Sequence, residues 1–576
     1  MGLVNSALQS GRNALISYQG ALQVLGNNVS NVGNADYTRQ SAQLSAVTGS
    51  RIGPGLLPGA GVALTGLKRH VDESIENRLR AATGDVESAT AEREALSRVE
   101  TFFDDLSGAG ISQALTGFFN AMSNVQNAPD DLAMRAVAIS QGQSLAGSLK
   151  QARSDLFELG LDLNQQIRTA TQDGDRLAKD IADLNAQISA AEAGGQGQAN
   201  ALRDRRDGAL RELSQTFDVI VREQPNGSIN VYVGSEPLVQ GGSSRGLTTT
   251  DEVDGDFVRT YVQFADTHTR VNVAGGVIEG LTLARDAHAF PRMGDLDELA
   301  GAIITEVNAL HADGQGLTPL RSVISDETVA DTTAPLNSLA AGLRNPPVDG
   351  SFYISVADDA TGTPVSYRID IDLDGQGNDT SLEDLVAAIN ADVSGVTASI
   401  TTDQRLSLQA DQGFSFTFGH DGQQFREDTS KTLAGLGVNT FFTGSSAADI
   451  AVREDLVADS GLLAAASLDR TGDGINAGRI AGAIDAASSQ LNGSSLLEGY
   501  NAIANGVASA GASAANKVEA SGAVQESLAA QRESVSGVSL DEEAIDLLRY
   551  ERAFQGAARF VSTVDRLMQE LVTLVR

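Results

Sequence analysis

The chain of 576 residues contains no cysteine and no tryptophan, and only five of its residues are lysine. Without cysteine there is no disulfide framework, no thiolate zinc or iron–sulfur site and no thiol nucleophile. The compartment stays open, because a reducing cytosol and a disulfide-free extracellular protein both fit. No apolar run approaches about 18 residues, so no membrane-spanning helix is expected. The first segment does not read as a secretory signal: its first base is Arg12, and Asn and Gln interrupt the apolar positions after it. Positive charge is scarce. The chain has 41 Lys and Arg against 75 Asp and Glu, a net charge of −34, which argues against nucleic acid as the main partner. Apolar residues make up 41% of the chain, enough for a core, and its length suggests about four structural units at roughly 150 residues each.

Catalytic constellations are also missing. The five histidines stand at 70, 268, 288, 311 and 420, and no two have the helical spacing of a zinc protease. Gly242-Ser243-Ser244-Arg245-Gly246 fits the letters of a hydrolase nucleophile elbow. The strand-like Leu247-Thr248-Thr249-Thr250 follows it, where that elbow needs a helix. None of the lysines sits in a Gly-rich phosphate loop. Asp370-Ile371-Asp372-Leu373-Asp374-Gly375 matches the first half of a calcium loop. Ser381 stands where the closing acid belongs, and Glu383 comes two residues late. The simpler reading makes Asp370 and Asp372 the solvent face of an alternating strand, with Asp374-Gly375 as the turn after it. No cofactor, metal or catalytic residue is expected, and the chain reads as non-enzymatic.

What is present begins at the two ends. Leu8, Leu15, Leu22 and Val29 recur every seven residues, with Val4, Gly11, Tyr18, Leu25 and Val32 as a second series. Leu547, Phe554, Val561, Met568 and Val575 do the same at the far end, with Tyr550, Ala557, Val564 and Leu571 as the partner series. Paired seams of this length predict coiled-coil-like helices that pair with each other, within the chain or between copies. Charge is uneven: residues 1–70 hold one acid, Asp36, against five bases, whereas residues 351–400 hold nine acids and one base, Arg368.

Between the ends, a Gly/Pro-rich stretch from Gly53 to Gly61 predicts turns and extended chain. Helical periodicity resumes at Val71, Ile75 and Leu79. After Pro129 a long helix carries Leu149, Leu156, Leu163, Ala170, Leu177, Leu184 and Ala191 on one stripe. Its companion stripe of Leu145, Ala152 and Leu159 slips by one to Ile167, Gly174, Ile181 and Ile188, as expected of a near-straight, rod-like helix. Gly194-Gly195-Gln196-Gly197 should break it. Asp218–Val221 and Ile229–Val233 flank Asn226-Gly227 and predict a hairpin. A helix follows with Leu281, Leu296, Leu299, Ile303, Val307 and Leu310 facing inward. From about 331 the alternation at Phe352, Ile354 and Val356, at Tyr367, Ile369 and Ile371, and at Phe414, Phe416 and Phe418 predicts strands. Between them Ser381 N-caps a helix reaching to Asn390, and Ala-rich helix returns from about 475.

Two segments carry a family resemblance. Asn27-Asn28-Val29-Ser30-Asn31-Val32 followed by Tyr37-Thr38-Arg39-Gln40 resembles the N-terminal signature of flagellar axial proteins, the rod, hook and hook-associated families. Ser536-Gly537-Val538-Ser539-Leu540-Asp541-Glu542-Glu543, leading into Leu548-Arg549-Tyr550-Glu551-Arg552-Ala553-Phe554, is similar to the C-terminal signature of the same group. Phe118-Phe119-Asn120, Asn127–Asp131, Asn200–Asp207 and Asn308-Ala309-Leu310-His311 resemble the helical domain of the hook–filament junction family. Asp36 stands where these families usually have glycine. The segment near 380–420 is similar to a small motif inserted in flagellins and hook-associated proteins.

The expected architecture is mainly α with β parts, an α+β chain. Residues 1–70 with 537–576 form the terminal-helix domain. Residues 71–315 with 470–536 form a helical rod domain, with a β-hairpin region near 217–275, and residues 331–460 form an inserted acidic α+β domain. The resemblance implies a structural subunit of a layer between hook and filament, assembled through the terminal helices. Hook protein and flagellin are the alternatives within the group. An outward binding module on the acidic insert, for a cation, glycan or host surface, is the alternative of another class. The implied partners are further copies of the chain, hook protein, a second, filament-side hook-associated protein and a flagellar export chaperone. The implied location is the extracellular flagellum, reached through the flagellar secretion apparatus without a signal peptide.

Overall fold

The computed structural model describes residues 2–34, 36–48, 59–103, 110–193, 199–421, 424–468 and 472–574. The Gly/Pro stretch from Gly53 to Pro58 and the breaker at Gly194–Gly197 lie outside the described residues, as does Val575.

The chain opens with helix α1 (Gly2–Ser30) and a hairpin of β1 (Gln40–Thr48) and β2 (Gly59–Arg69). Helices α2 (Glu73–Phe102), α3 (Ile111–Asn127), α4 (Leu132–Glu192) and α5 (Asn200–Thr216) follow. Then come strands β3 (Val219–Glu223), β4 (Ile229–Val233), β5 (Glu236–Gln240), β6 (Ser243–Ser244), β7 (Leu247–Asp254) and β8 (Phe257–Phe264). Helix α6 (Gly276–Leu283) passes through a π turn at Ala284–Ala289 into α7 (Phe290–Ala312). The next strands are β9 (Ser322–Ile324), β10 (Gly350–Asp358) and β11 (Pro364–Ile371), then helix α8 (Leu382–Asp392), then β12 (Val396–Ile400), β13 (Leu406–Ala410) and β14 (Phe414–Phe418). Short helices α9 (Thr432–Leu436), α10 (Glu454–Ala458) and α11 (Ile475–Gly482) lead to α12 (Leu496–Ser536) and α13 (Leu540–Leu574). The class is the expected helix-rich α+β.

Two compact units divide the chain: Met1–Ala95, Leu161–Arg285 and Ala512–Arg576 in the first, Leu96–Gly160 and Asp286–Gly511 in the second. In the first unit α1 packs on α13 and on the β1–β2 hairpin. The helices run antiparallel: Tyr18 stacks near Tyr550, with ring centroids 6.3 Å apart, and Gly11 faces Val561. Glycine is required there by proximity, since a Cβ on Gly11 would lie 2.5 Å from Val561 Cγ2. Gly61, at φ +91°, lets β2 pass directly beneath the Ser10 carbonyl.

The 61-residue helix α4 feeds both units, and both predicted stripes are buried along most of it. Two asparagines interrupt the apolar face inside the first unit. Asn164 Nδ2 donates to the Val258 carbonyl, while its Oδ1 accepts from the Thr260 amide and from Arg285. Asn185, three heptads on, donates to the Ile229 and Gly241 carbonyls and accepts from the Ile229 amide and from Arg206. Each clamps a strand edge onto the helix. The β3–β4 hairpin forms where expected, with Gly227 at φ +79° in its turn. Replacing Asn185 with Ala is expected to destabilise this unit by about 3 kcal/mol, because it orphans several buried backbone groups and Arg206 at once. Calorimetry on the full chain measures that loss.

In the second unit the sheet β11-β10-β14, the sheet β12-β13-β9 and helix α8 share one apolar core. It includes Phe352, Ile354, Ile369, Leu385, Leu408, Phe416 and Phe418, and it draws in residues from Ala312 to Val438. Ser381 caps α8 in a reciprocal box with Asp384. Elsewhere in this unit Phe118 lies among Phe119, Phe441 and Phe442.

Candidate functional site where the two chain ends meet

The two terminal signatures come together in the first unit. Asn28, fully buried near the end of α1, donates through Nδ2 to Glu543 Oε2 (2.9 Å) and to the Gln40 carbonyl (2.8 Å). Its Oδ1 accepts from the Tyr37 hydroxyl (2.7 Å) and from the Gln40 amide (3.1 Å). All the hydrogen-bonding capacity of that one side chain is therefore used on the opposite signature and on its own turn. Glu543, 1% exposed in the first turn of α13, also accepts from Arg39 Nε (2.9 Å). Arg39 reaches Glu542 through Nη1 (2.7 Å), and its amide donates to the Ser536 carbonyl at the end of α12 (2.9 Å).

Burial, with the charges of Asp204 and Glu543, pushes the Tyr37 hydroxyl up to about 12, so it remains a donor to Asn28. A further layer surrounds this contact. Arg69 Nη2 reaches Asp204 Oδ1 and Asp207 Oδ2, both at 2.6 Å. Burial works against the Arg69 charge, but Asp207 and Asp204 hold its pKa above the ordinary value. Asn200 Nδ2 donates to Gln40 Oε1 (2.9 Å). Asp36, in the position usually glycine, pairs with Arg211.

The expected residues divide clearly. Asn28, Tyr37, Arg39, Glu542 and Glu543 meet in this network. Asn27, Asn31, Leu540 and Asp541 are not part of it: Asn31 turns back to the Asn27 carbonyl, and Leu540 and Asp541 face solvent. On the seam of α1, Leu25 is buried, Leu8, Leu15, Tyr18 and Leu22 are half-buried, and Val29 and Val32 are exposed. On α13, Val564 is buried, Tyr550, Phe554, Val561 and Met568 are half-buried, and Leu547 is exposed; nothing is described of the Leu571 side chain. Arg69 was not singled out. Its signal was a pair of bases at 68 and 69 in a segment with almost no acid of its own.

The calcium-like run does not close as a loop. Asp370 pairs with Arg368 (2.7 Å) on the strand face, and Ser381 is occupied as the cap of α8. Among the described residues Asp372, Asp374 and Asp379 offer carboxylate oxygens within 4.8 Å of one another.

Three family models match the chain. The Flagellar hook-associated protein FlgK helical domain covers residues 96–320, the Flagellin hook IN motif 351–412, and the Flagellar basal body rod FlgEFG protein C-terminal 529–574. Flagellar hook-associated protein 1 of Escherichia coli strain K12 is 26% identical over 588 residues, spanning 99% of both chains. That of Salmonella typhimurium is 27% identical over 597 residues, again 99% of both. That of Bacillus subtilis strain 168 is 23% identical over 576 residues, 98% of this chain and 97% of the relative. Over nearly its whole length the chain is similar to flagellar hook-associated protein 1. These likenesses point to the flagellum and to a structural role. No helix among the described residues is long and apolar enough to cross a membrane. The solved flagellar hook junction protein FlgK from Burkholderia pseudomallei aligns over 80% of this chain and all of its own, at 17% identity and a TM-score of 0.49.

Proposed function

We propose that the chain forms the layer between hook and filament by joining its neighbours through α1 and α13. The observation that carries this is the state of the terminal pair. A single α1–α13 contact leaves Ile16, Val29, Val32, Ile545, Leu548, Phe560 and Leu567 exposed, several of them more than half. Two helices with apolar residues on their outward faces suit a wall in which each pair is covered by the next. The seam residues named above, both exposed and half-buried, are the proposed assembly surface.

In this reading the terminal helices form one functional domain, the long helices a rod, and the acidic segment 331–460 an outer, solvated insert. Hook protein lies on one side and a second, filament-side hook-associated protein on the other. The subunit passes unfolded through the flagellar secretion apparatus without a signal peptide, and a cytoplasmic chaperone holds α13 before export. A cysteine-free chain suits that route, since stray thiols would cross-link outside the cell.

Deleting residues 537–576 is expected to leave the second unit folded and to abolish filament growth. Electron microscopy of cells carrying only the deleted chain tests it. Hooks without filaments support the reading, and normal filaments would falsify it.

A further inference from the structure

The first unit holds a cavity of about 240 Å³ between the end of β2, α2, α5 and the β3–β4 hairpin. Three arginines enter it from three elements: Arg69 from β2, Arg80 from α2 and Arg206 from α5. Arg80 and Arg206 are 7% and 2% exposed, and the Arg69 side chain 9%. Each uses part of its guanidinium on the protein. Arg69 Nη2 holds Asp204 and Asp207, and Arg80 Nη2 donates to Asn77 (2.7 Å). Arg206 Nη1 donates to Asn185 (3.1 Å) and to the Gly227 carbonyl (2.7 Å). The remaining terminal nitrogens, Arg69 Nη1, Arg80 Nη1 and Arg206 Nη2, meet no hydrogen-bond acceptor among the described residues. Glu76 Oε2 lies 3.9 Å from Arg80 Nη1, too far for a hydrogen bond. In these three side chains the unpartnered atom sealed in protein is Nε, so the open Nη atoms are the ones that face the cavity. Exposed Glu73 and Asn77 also line it, so it opens to solvent.

Carboxylates line the cavity too, but three of the four are already bonded to arginine. Asp207 takes Arg69 Nη2 (2.6 Å), Glu223 takes Arg203 Nη1 (2.6 Å) and Glu76 Oε1 takes Arg532 Nε (2.7 Å). For the fourth, Glu73, burial and then the charge of Glu223 raise the pKa and favour the neutral form. Arg206 has no ion pair among the described residues. Burial lowers the pKa of Arg80 and of Arg206 despite Glu76 beside the one and Asp207 beside the other. Water in the cavity can accept from the open N–H groups, but it brings no charge to Arg206. A ligand with several acceptor oxygens and negative charge supplies both.

We infer that this cavity binds a small oxyanion of the phosphate or sulfate kind, gripped by Arg69 Nη1, Arg80 Nη1 and Arg206 Nη2. Such an ion ties β2, α2 and α5 together and stabilises the folded unit according to its occupancy. The site is independent of how the terminal helices assemble.

Titration calorimetry on the full chain tests it, with inorganic phosphate and sulfate added separately in a chloride buffer of fixed ionic strength. One saturable site per chain is expected for at least one of them. Arg80→Gln is the informative variant, because the hydrogen bond it gives up goes to Asn77 at the surface and the fold should survive its loss. It should weaken binding about tenfold. Arg206→Lys, which keeps the charge and loses the forked donors, should weaken it by a similar factor. Arg168→Gln, whose partner Asp251 lies outside the cavity, should bind as the native chain does. The ion that binds should also raise the unfolding temperature of the native chain more than that of the Arg80→Gln chain. No saturable heat with either ion up to about 10 mM, or binding that either cavity variant leaves unchanged, would overturn the assignment.

Discussion

Glu543→Ala is expected to loosen α13 from α1 by about 3 kcal/mol, whereas Glu542→Ala should cost less than about 1 kcal/mol. The two carboxylates are adjacent in sequence and both meet Arg39, so the difference comes from burial and from the bond that Glu543 receives from Asn28. Glu542 is 61% exposed, and water replaces its partner cheaply. Glu543 is 1% exposed, and its removal strands one Asn28 N–H in the interior and takes a partner from Arg39. Glu543→Gln should fall between them: its oxygen can still accept from Asn28, but its amide faces the Arg39 guanidinium. Hydrogen exchange read by mass spectrometry over residues 540–560 measures the loosening. Equal protection in the Glu542 and Glu543 variants would refute the account. Through the proposed assembly, the Glu543 variant should also lose most swimming.

The second large effect is a cancellation in the second unit that single substitutions should unmask. His311 is completely buried at the end of α7. Its Nδ1 lies 2.7 Å from the Asn439 carbonyl, and its Nε2 accepts from the Ala464 amide at 3.0 Å. A protonated ring would turn Nε2 into a donor facing a donor, so the neutral ring is the one that fits. Burial, with Arg453 also opposing the charge, lowers its pKa to about 4. Two residues on, Asp313 accepts from the Asp428 amide (2.9 Å) and faces Asp428, Glu427 and Arg479. Burial first, with the neighbouring acids, raises its pKa to about 7.

The signs oppose each other. His311 binds its proton more weakly when folded, so its stabilising contribution is whole above about 6.5 and is lost as pH falls towards 4. Asp313 binds its proton more tightly when folded, so stability rises as pH falls from about 7 towards 3.8. Each effect is on the order of 3 kcal/mol, and over pH 6.5 to 4 they offset. The native chain should therefore show a nearly flat unfolding temperature for this unit across that range. Asp313→Asn should make it fall with acid, and His311→Gln should make it rise. Calorimetry at pH 7, 5.5 and 4 checks all three chains. A steep native profile, or variants with parallel slopes, would contradict the pairing.

Period and composition made much of the fold readable. Seven-residue repeats identified α1, α4 and α13 because a helix face repeats on that scale, and alternation identified β10, β11 and β14 for the same reason. Asn226-Gly227 placed the hairpin, and Ser381 with Asp384 placed the start of α8. Short elements escaped: β9 has three residues, too few to show a period, although it borders the sheet that includes β13. Asn164 and Asn185 carry no signal in the sequence, since a buried polar residue is explained only by its partners, which lie 94 to 121 and 21 to 56 residues away.

The sequence by itself determined that this chain has two helical ends, a long helical middle, an acid-rich segment at 351–400 and no thiol chemistry. It also supplied the signatures of the flagellar axial group. Local periodicity and residue type are enough for all of that, because they act over a few turns of chain. Which signature residues do the holding was decided only by the tertiary structure. Asn28 and Glu543 stand 515 positions apart, and only folding makes one fully buried and the other its acceptor while leaving Asn27 and Glu542 at the surface. Burial fixes what a polar contact contributes, and burial is a property of the whole packed unit rather than of any stretch of sequence.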